Sequence, residues 1–366
     1  MSAIEQLFSL SEYSIDNNMK RELLLSELNL LTGFHYSKCP QYKNILNSLH
    51  LSNEYNFKNI DDVPYLPVRL FKSQKIQSIP ESEVLKVLTS SGTTNQQVSR
   101  IALNRETSLL QVKALASIIT SYIGKKRLPM IIIDTDTIIK NKSSMSARGA
   151  GLVGLSNFGR NHFFALDENM ELKTEEFIKY VNNYKTEPML FFGFTYMVWQ
   201  YFYKILKDKG IKLDLNSTIL IHSGGWKKLH EHAVSNEIFK SELNEQLGIK
   251  KIYNFYGMVE QVGSIFMECE EGFLHTPNFA EILIRDYETW HTLPIGEKGV
   301  IQTLSILPKS YPGHSLLTED LGTILGIDNC KCGRKGTYFI VNGRVPKAEL
   351  RGCSDTHAET VLSSGR

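Results

Sequence analysis

The sequence predicts an α/β protein in which helices flank parallel sheets and a β-rich portion closes the domain. Three observations carry this expectation. Between residues 84 and 255, short apolar runs of strand length alternate with longer stretches of helical periodicity, the pattern of strand–helix–strand units. From about Gly263 the runs shorten, and Gly and Pro separate them. A loop dense in hydroxyls, Thr89-Ser90-Ser91-Gly92-Thr93-Thr94, directly follows the first apolar run of the alternating part.

In order along the chain, residues 11–49 are expected to be helical. Leu23, Leu24, Leu28 and Leu31 recur at helical spacing, and Gly33 and Pro40 signal turns. Residues 61–80 read as an irregular connection punctuated by proline. Val84-Leu85-Lys86-Val87-Leu88 reads as a buried strand. Asn104 is placed to cap a helix whose apolar face is Leu109, Val112, Leu115, Ala116 and Ile119. Met130-Ile131-Ile132-Ile133 centre a strand buried on both faces. There follow a helix over 174–184, a strand over 189–192, a helix over 196–209 stopped by Gly210 and a strand over 218–221. A helix over 233–247 stopped by Gly248 and a strand over 251–255 complete the alternation. The runs Glu281-Ile282-Leu283-Ile284-Arg285 and Gly299-Val300-Ile301-Gln302-Thr303-Leu304 belong to the β-rich portion. The expected divisions are 1–80, helical; 81–262, an α/β core; 263–343, β-rich; and 344–366, a cysteine-bearing tail.

Composition narrows the function. A 42% hydrophobic and 22% charged chain of 366 residues has the balance of an ordinary soluble protein with a sizeable core. A formal net charge of +2 and the lack of a long basic run give no reason to invoke nucleic acid or an acidic membrane surface. The first ten residues lack the basic and apolar parts of a signal peptide. Residues 188–206 are the nearest approach to a membrane span, but Thr195, Gln200, Lys204 and three tyrosines make them too polar. Gly193 is expected to break that stretch into a strand and a helix. Five cysteines without a secretory signal point to a reducing compartment, so a cytoplasmic protein is expected.

Several constellations offer chemistry. In the hydroxyl loop, Gly92 lets the backbone turn, and successive N–H groups and hydroxyls suit polyphosphate oxygens. A polar surface loop would read the same way, and no Walker lysine is present. Asn254-Phe255-Tyr256-Gly257-Met258-Val259-Glu260 follows a strand, where Tyr256 can stack on a purine and Glu260 can hold Mg²⁺. The plainer alternative is a core tyrosine and a solvated glutamate. Gly224 and Gly225, in Ile221-His222-Ser223-Gly224-Gly225-Trp226-Lys227, let backbone approach a flat ligand or simply make a turn. Cys330-Lys331-Cys332 sets two thiols on a tight turn, one edge of a tetrahedral metal site. Cys269 and His275 offer the second edge, or His275 is merely buried. Cys39 reads as packing. Cys353 follows Arg351-Gly352 in a polar tail with His357, surroundings that lower a thiol pKa.

The hydroxyl loop resembles the phosphate loop of the adenylate-forming enzymes, with Asn95 where that family has glycine and no lysine after it. Tyr256-Gly257-Met258-Val259-Glu260 resembles that family's Tyr-Gly-x-Thr-Glu, with valine replacing threonine. The resemblance implies that Ser90, Ser91, Gly92, Thr93 and Thr94 hold phosphates and that Gly224 and Gly225 border the adenine. It puts Tyr256, before Gly257, against the adenine and Glu260 on Mg²⁺. Thr318-Glu319-Asp320 resembles the family's Thr-x-Asp, so Asp320 would bind the ribose hydroxyls. Gly343-Arg344 to Arg351-Gly352 resembles its hinge, so Arg344 would contact the nucleotide.

Gly33-Phe34-His35 with Cys39 and Tyr42, Ser146-Ala147-Arg148-Gly149 and His222-Ser223-Gly224-Gly225 extend the likeness to the phenylacetate–CoA ligase branch. Within it, the chain is most similar to the LuxE-type acyl-protein synthetases. The resemblance implies the large N-terminal domain of adenylate-forming enzymes with the C-terminal lid largely absent. It implies ATP and Mg²⁺, a fatty acid activated as its adenylate, and transfer through Cys353 to an acyl-accepting partner protein. Relatives in this branch carry a similar Cys-x(5)-His and Cys-x-Cys, implying structural Zn²⁺ on Cys269, His275, Cys330 and Cys332. Two alternatives stand beside this reading: an acid–CoA ligase, and a non-enzymatic zinc-stabilised scaffold that Asn95 and Val259 favour.

Overall fold

The computed structural model describes residues 2–51, 55–90, 98–140, 145–225, 233–261 and 263–345. Contacts divide the chain into two compact units: residues up to 118 with 257–266 and those from 271 on, and residues 119–256 with 267–270.

The second unit is a parallel α/β sheet. Its strands run in the order Gly159–Phe164, Leu128–Ile132, Leu190–Phe194, Ile219–Ser223, Lys251–Tyr256. Numbered along the chain that order is 2-1-3-4-5, in which the winding reverses between the first and third strands. Strand interiors such as Met130, Ile131, Leu190, Phe191 and Phe192 are wholly buried, as a sheet covered on both faces requires. Helix Thr174–Tyr184 buries Phe177 and Val181. Helix Asn236–Leu247 is capped by the Ser235 hydroxyl, which accepts from the Ile238 N–H, and ends on Gly248 at φ +70°.

Three expectations in this unit need correction. The apolar stretch does divide into a strand and a helix, but after Phe194 and not at Gly193, which lies inside strand Leu190–Phe194 and is glycine because a Cβ there would meet Val198 at 2.8 Å and Ile133 at 2.9 Å. The helix after it is not uniform, since Val198–Tyr203 is a π-helical turn between Thr195–Met197 and Lys204–Asp208. Strand Gly159–Phe164 was not anticipated, because Arg160, Asn161 and His162 mask it.

The first unit joins N-terminal helices to an antiparallel sheet ordered Ala280–Arg285, Lys298–Ser305, Ser315–Ile327, Thr337–Arg344, Leu274–His275. Short strand Leu66–Pro67 pairs parallel beside Leu316 and Leu317. Leu24, Leu28 and Leu31 of helix Asn17–Lys38 pack with Phe279, Leu283, Leu304 and Leu307 in one core. Asp16 caps that helix by accepting from Met19 N–H.

Here too the structure departs from expectation. Helix Asn17–Lys38 runs straight through Gly33, and the break comes only at Cys39-Pro40, where proline takes the first helical position of Pro40–Ser48. The run Val84–Leu88 is not a buried strand. Strand Lys86–Thr89 is half of a hairpin with Arg100–Leu103, with Leu88 buried but Leu85 and Val87 exposed. Asn104 does cap helix Arg105–Ile123, accepting from Thr107 N–H at 2.9 Å. Of the expected apolar face, Ile119 is buried and Leu115 and Ala116 are half-buried, but Leu109 and Val112 are exposed, and the buried face is rotated to take in Thr107, Gln111, Ala114 and Ile118. The β-rich runs are buried on both faces along Ala280–Arg285, so alternation there is not amphipathy. No helix among the described residues is long and apolar enough to cross a membrane.

Candidate active site

In the first unit, strand pairing assembles an ionic cluster. Asp320 and Arg344 are register partners, and Arg344 Nε lies 3.3 Å from Asp320 Oδ1. The Arg344 side chain is 75% exposed, so this pair is worth about 1 kcal/mol at most. Glu319 is gripped by Arg69, whose Nε and Nη2 donate to its Oε1 at 3.0 and 2.8 Å. Burial pushes the Glu319 carboxyl up, but the Arg69 hydrogen bond and the Lys72, Arg69 and Arg344 charges outweigh it and leave the pKa lowered. Arg69 arrives there because Leu66–Pro67 pairs beside Leu316 and Leu317 and Val68 N–H donates to Leu317 O. Thr318 is structural, donating to Ile301 O at 2.8 Å and accepting from Asp320 N–H.

Glu260 lies in the 3-10 turn Val259–Gln261 and is 8% exposed, so it is not a solvated glutamate. Burial raises its carboxyl pKa and Glu319 adds to this, against the hydrogen bond of the Ser99 side chain and the Lys72 charge. A carboxylate oxygen is a hard ligand of the kind a divalent cation takes. Ser90 closes the hairpin that carries the hydroxyl loop. Its N–H donates to Ser99 O, and its Oγ accepts from Ser99 N–H at 3.0 Å. The loop therefore joins antiparallel strands, not a strand to a helix. Ser91, Gly92, Thr93, Thr94 and Asn95 lie outside the described residues, as do Trp226, Lys227 and Cys353.

In the second unit, Gly224 and Gly225 follow the carboxyl end of strand Ile219–Ser223, and Tyr256 ends strand Lys251–Tyr256. Gly224 sits at φ +83°, and its Cβ position is 3.2 Å from the Phe194 ring, so the turn requires glycine. Ser223 Oγ donates to Phe255 O at 2.8 Å and ties the two strand ends. His222 is buried, with Nδ1 2.9 Å from Thr195 Oγ1. Burial, with a lesser push from the Lys240 charge, lowers its pKa to about 3, so it stays neutral and serves as a polar support. At the reversal of winding, Arg148 clamps Asp134 at the end of strand Leu128–Ile132, with Nε to Oδ2 at 2.7 Å. Sequence reasoning quoted Arg148 without a role and missed Arg69, which carries no motif and is found only through strand pairing.

Cys269, His275, Cys330 and Cys332 come together, their ligand atoms all within 4.8 Å of one another. Tetrahedral zinc with bonds of about 2.3 Å to sulfur sets ligand separations of about 3.8 Å, so small side-chain adjustments close the shell. His275 Nε2 is already 3.4 Å from Cys332 Sγ. Arg334 N–H donates to Cys332 Sγ at 3.5 Å, and Gly333 turns the chain at φ +82°. Soft thiolates with one imidazole and no oxygen donor fit zinc, and four protein ligands leave no open catalytic position.

Comparison with known proteins decides the family. Residues 5–362 match the family described as "Acyl-protein synthetase, LuxE". The chain belongs to that family. It is therefore a ligase that activates an acid as an acyl adenylate and passes the acyl group to a protein thiol. Its relatives include the long-chain-fatty-acid–luciferin-component ligases of Aliivibrio fischeri and Vibrio harveyi. The first is 24% identical over 90% of this chain and 86% of the relative. The second is 21% identical over 91% and 87%. Among solved structures, an open conformation of 2-hydroxyisobutyryl-CoA ligase in complex with 2-HIB-AMP and CoA superposes with TM-score 0.71. That match covers 91% of this chain and 77% of the ligase at 16% identity. The same ligase in the postadenylation state gives 0.68 at 17% identity. These likenesses show the fold of adenylate-forming ligases in this LuxE family member.

Proposed function

We propose that this LuxE family member uses ATP and Mg²⁺ to activate a long-chain fatty acid and carries the acyl group on Cys353 to a partner protein. The observation that carries the residue assignments is the gathering of Asp320, Glu319 and Arg344 on paired strands with Arg69 bonded to Glu319, and with Glu260 under the influence of the same Lys72 charge. The names of the two curated relatives support a long-chain acid.

A carboxylate resists substitution because oxide is a poor leaving group. Its oxygen attacks the α-phosphorus of ATP, pyrophosphate leaves, and the acyl adenylate forms. A thiolate then attacks the acyl carbon and AMP leaves with the bonding pair, giving a thioester. In this reading Asp320 accepts from the ribose hydroxyls, and Tyr256 stacks on adenine beside Gly224 and Gly225. Gly257 follows the tyrosine, where a Cβ would lie 3.2 Å from the Ile265 side chain. Ser90 anchors the loop whose Ser91, Gly92, Thr93 and Thr94 hold phosphates. Glu260 would hold Mg²⁺, which when bound spreads phosphate charge. Arg344 turns from Asp320 toward the nucleotide.

Acid-dependent ATP–pyrophosphate exchange over a panel of acids tests this. Wild type is expected to exchange best with long-chain acids, and absence of exchange with every acid would overturn the reading. Asp320→Ala should weaken ATP by roughly 2–3 kcal/mol, the cost of removing one partner from a charged hydrogen bond. Unchanged ATP half-saturation in that variant would put the ribose elsewhere.

We also assign Cys269, His275, Cys330 and Cys332 to a structural zinc. Purified protein should contain about one zinc per chain, and Cys332→Ser should lose both the metal and several degrees of thermal midpoint. Metal-free wild type with the midpoint of the zinc-supplemented protein would refute the site.

A further inference from the structure

We propose that Tyr311 and Gln261 are positioning residues that aim the Glu260 carboxylate; this rests on the reading of Glu260 as the Mg²⁺ ligand. Glu260 occupies one turn of 3-10 helix, too short for intrahelical bonds to fix it. Its backbone carbonyl and the side chain of the next residue are instead held from outside. The Tyr311 hydroxyl donates to Glu260 O at 2.9 Å. The adjacent Gln261 amide donates to Gly313 O at 3.0 Å and Thr303 O at 3.3 Å. Tyr311 and Gln261 are 0% and 1% exposed, so water does not substitute for either bond.

The segment supplying these partners is itself pinned. Ser310 Oγ donates to Ala102 O at 2.8 Å, and Ser78 N–H donates to Ser310 O. Ser305 N–H donates to His314 O, and Gly313 N–H donates to Tyr311 O. A Cβ on Gly313 would lie 2.1 Å from the Tyr311 ring, so only glycine lets the ring fold back over that turn. Phe71 meets the ring edge-on at 5.9 Å and fixes its plane. The hydroxyl is therefore delivered to Glu260 O by a chain of contacts that fixes the backbone from which the carboxylate projects.

Tyr311→Phe keeps the ring and its packing and removes only the hydroxyl, so it isolates positioning from folding. Mn²⁺ binding with a non-hydrolysable ATP analogue, followed by electron paramagnetic resonance, is measured for wild type, Tyr311→Phe and Glu260→Gln. The Mg²⁺ and acid half-saturations of pyrophosphate exchange are measured alongside. Tyr311→Phe is expected to weaken Mn²⁺ and raise the Mg²⁺ half-saturation about three- to tenfold, the span of one net hydrogen bond, with acid half-saturation unchanged. A merely structural tyrosine would lower the thermal midpoint and leave the Mn²⁺ affinity of the folded protein alone. That result, with Glu260→Gln weakened, overturns the positioning role while leaving Glu260 in place. Wild-type Mn²⁺ affinity in Glu260→Gln removes the metal reading and this inference with it.

Discussion

Replacing Cys353 by serine is expected to abolish stable labelling of the protein by radiolabelled acid while leaving acid-dependent pyrophosphate exchange nearly intact. Activation needs the nucleotide site; transfer needs a thiol that stays nucleophilic near neutral pH. Cys353 lies within the stretch matched by the acyl-protein synthetase family and follows Arg351-Gly352, whose cation favours the thiolate. The other cysteines fit the role poorly. Cys39 is wholly buried, and burial raises its thiol pKa, while Cys269, Cys330 and Cys332 are gathered with His275. Label on wild type should be released by neutral hydroxylamine, as a thioester is. Undiminished hydroxylamine-sensitive label in the serine variant would dismiss Cys353 as the acceptor. Acyl-CoA formation without labelling of wild type would instead favour free CoA as the thiol.

The largest loss of stability should follow Lys20→Met. Lys20 and Glu281 are each about 1% exposed, with Nζ 3.1 Å from Oε2, and Nζ also donates to Thr276 Oγ1 at 2.6 Å. Removing the ammonium strands the carboxylate in the interior at a cost of about 3–5 kcal/mol, while Thr276 Oγ1 keeps its bond to Thr337 O. That is a large part of the roughly 5–15 kcal/mol that holds a domain folded. Lys20→Met with Glu281→Leu should recover most of the loss, since well-packed apolar residues replace buried ion pairs at little cost. Urea titration of wild type, single and double variants reads this out. A single variant as stable as wild type would show that water reaches the pair.

The parallel strands were legible because burial on both faces makes them continuous apolar runs, as in Met130 to Ile133. Where partners far along the chain decide, the sequence alone misled. Leu109 and Val112 carry helical spacing, yet they are exposed and the buried face is rotated toward Thr107 and Gln111. Glycine misled twice, since Gly33 and Gly193 are permitted by neighbours and do not mark turns. The site followed the same division. Asp320, Arg344 and Glu260 sit in local motifs and were found from them. Arg69 reaches Glu319 only through a parallel pairing, and Tyr311 reaches Glu260 only through a folded-back ring, so neither leaves a local signature.

The division of the chain also bears on how it is made. Residues 119–256 form nearly all of one unit without interruption, whereas the other is gathered from stretches on both sides of them. A ribosome therefore finishes the inserted unit while strands Ala280–Arg285 to Thr337–Arg344 have yet to emerge. Until they do, Leu24, Leu28 and Leu31 of the earlier helix lack Phe279, Leu283 and Leu304, and that apolar stripe waits uncovered. The nascent chain thus passes through an interval in which its N-terminal helix is a natural client for a chaperone.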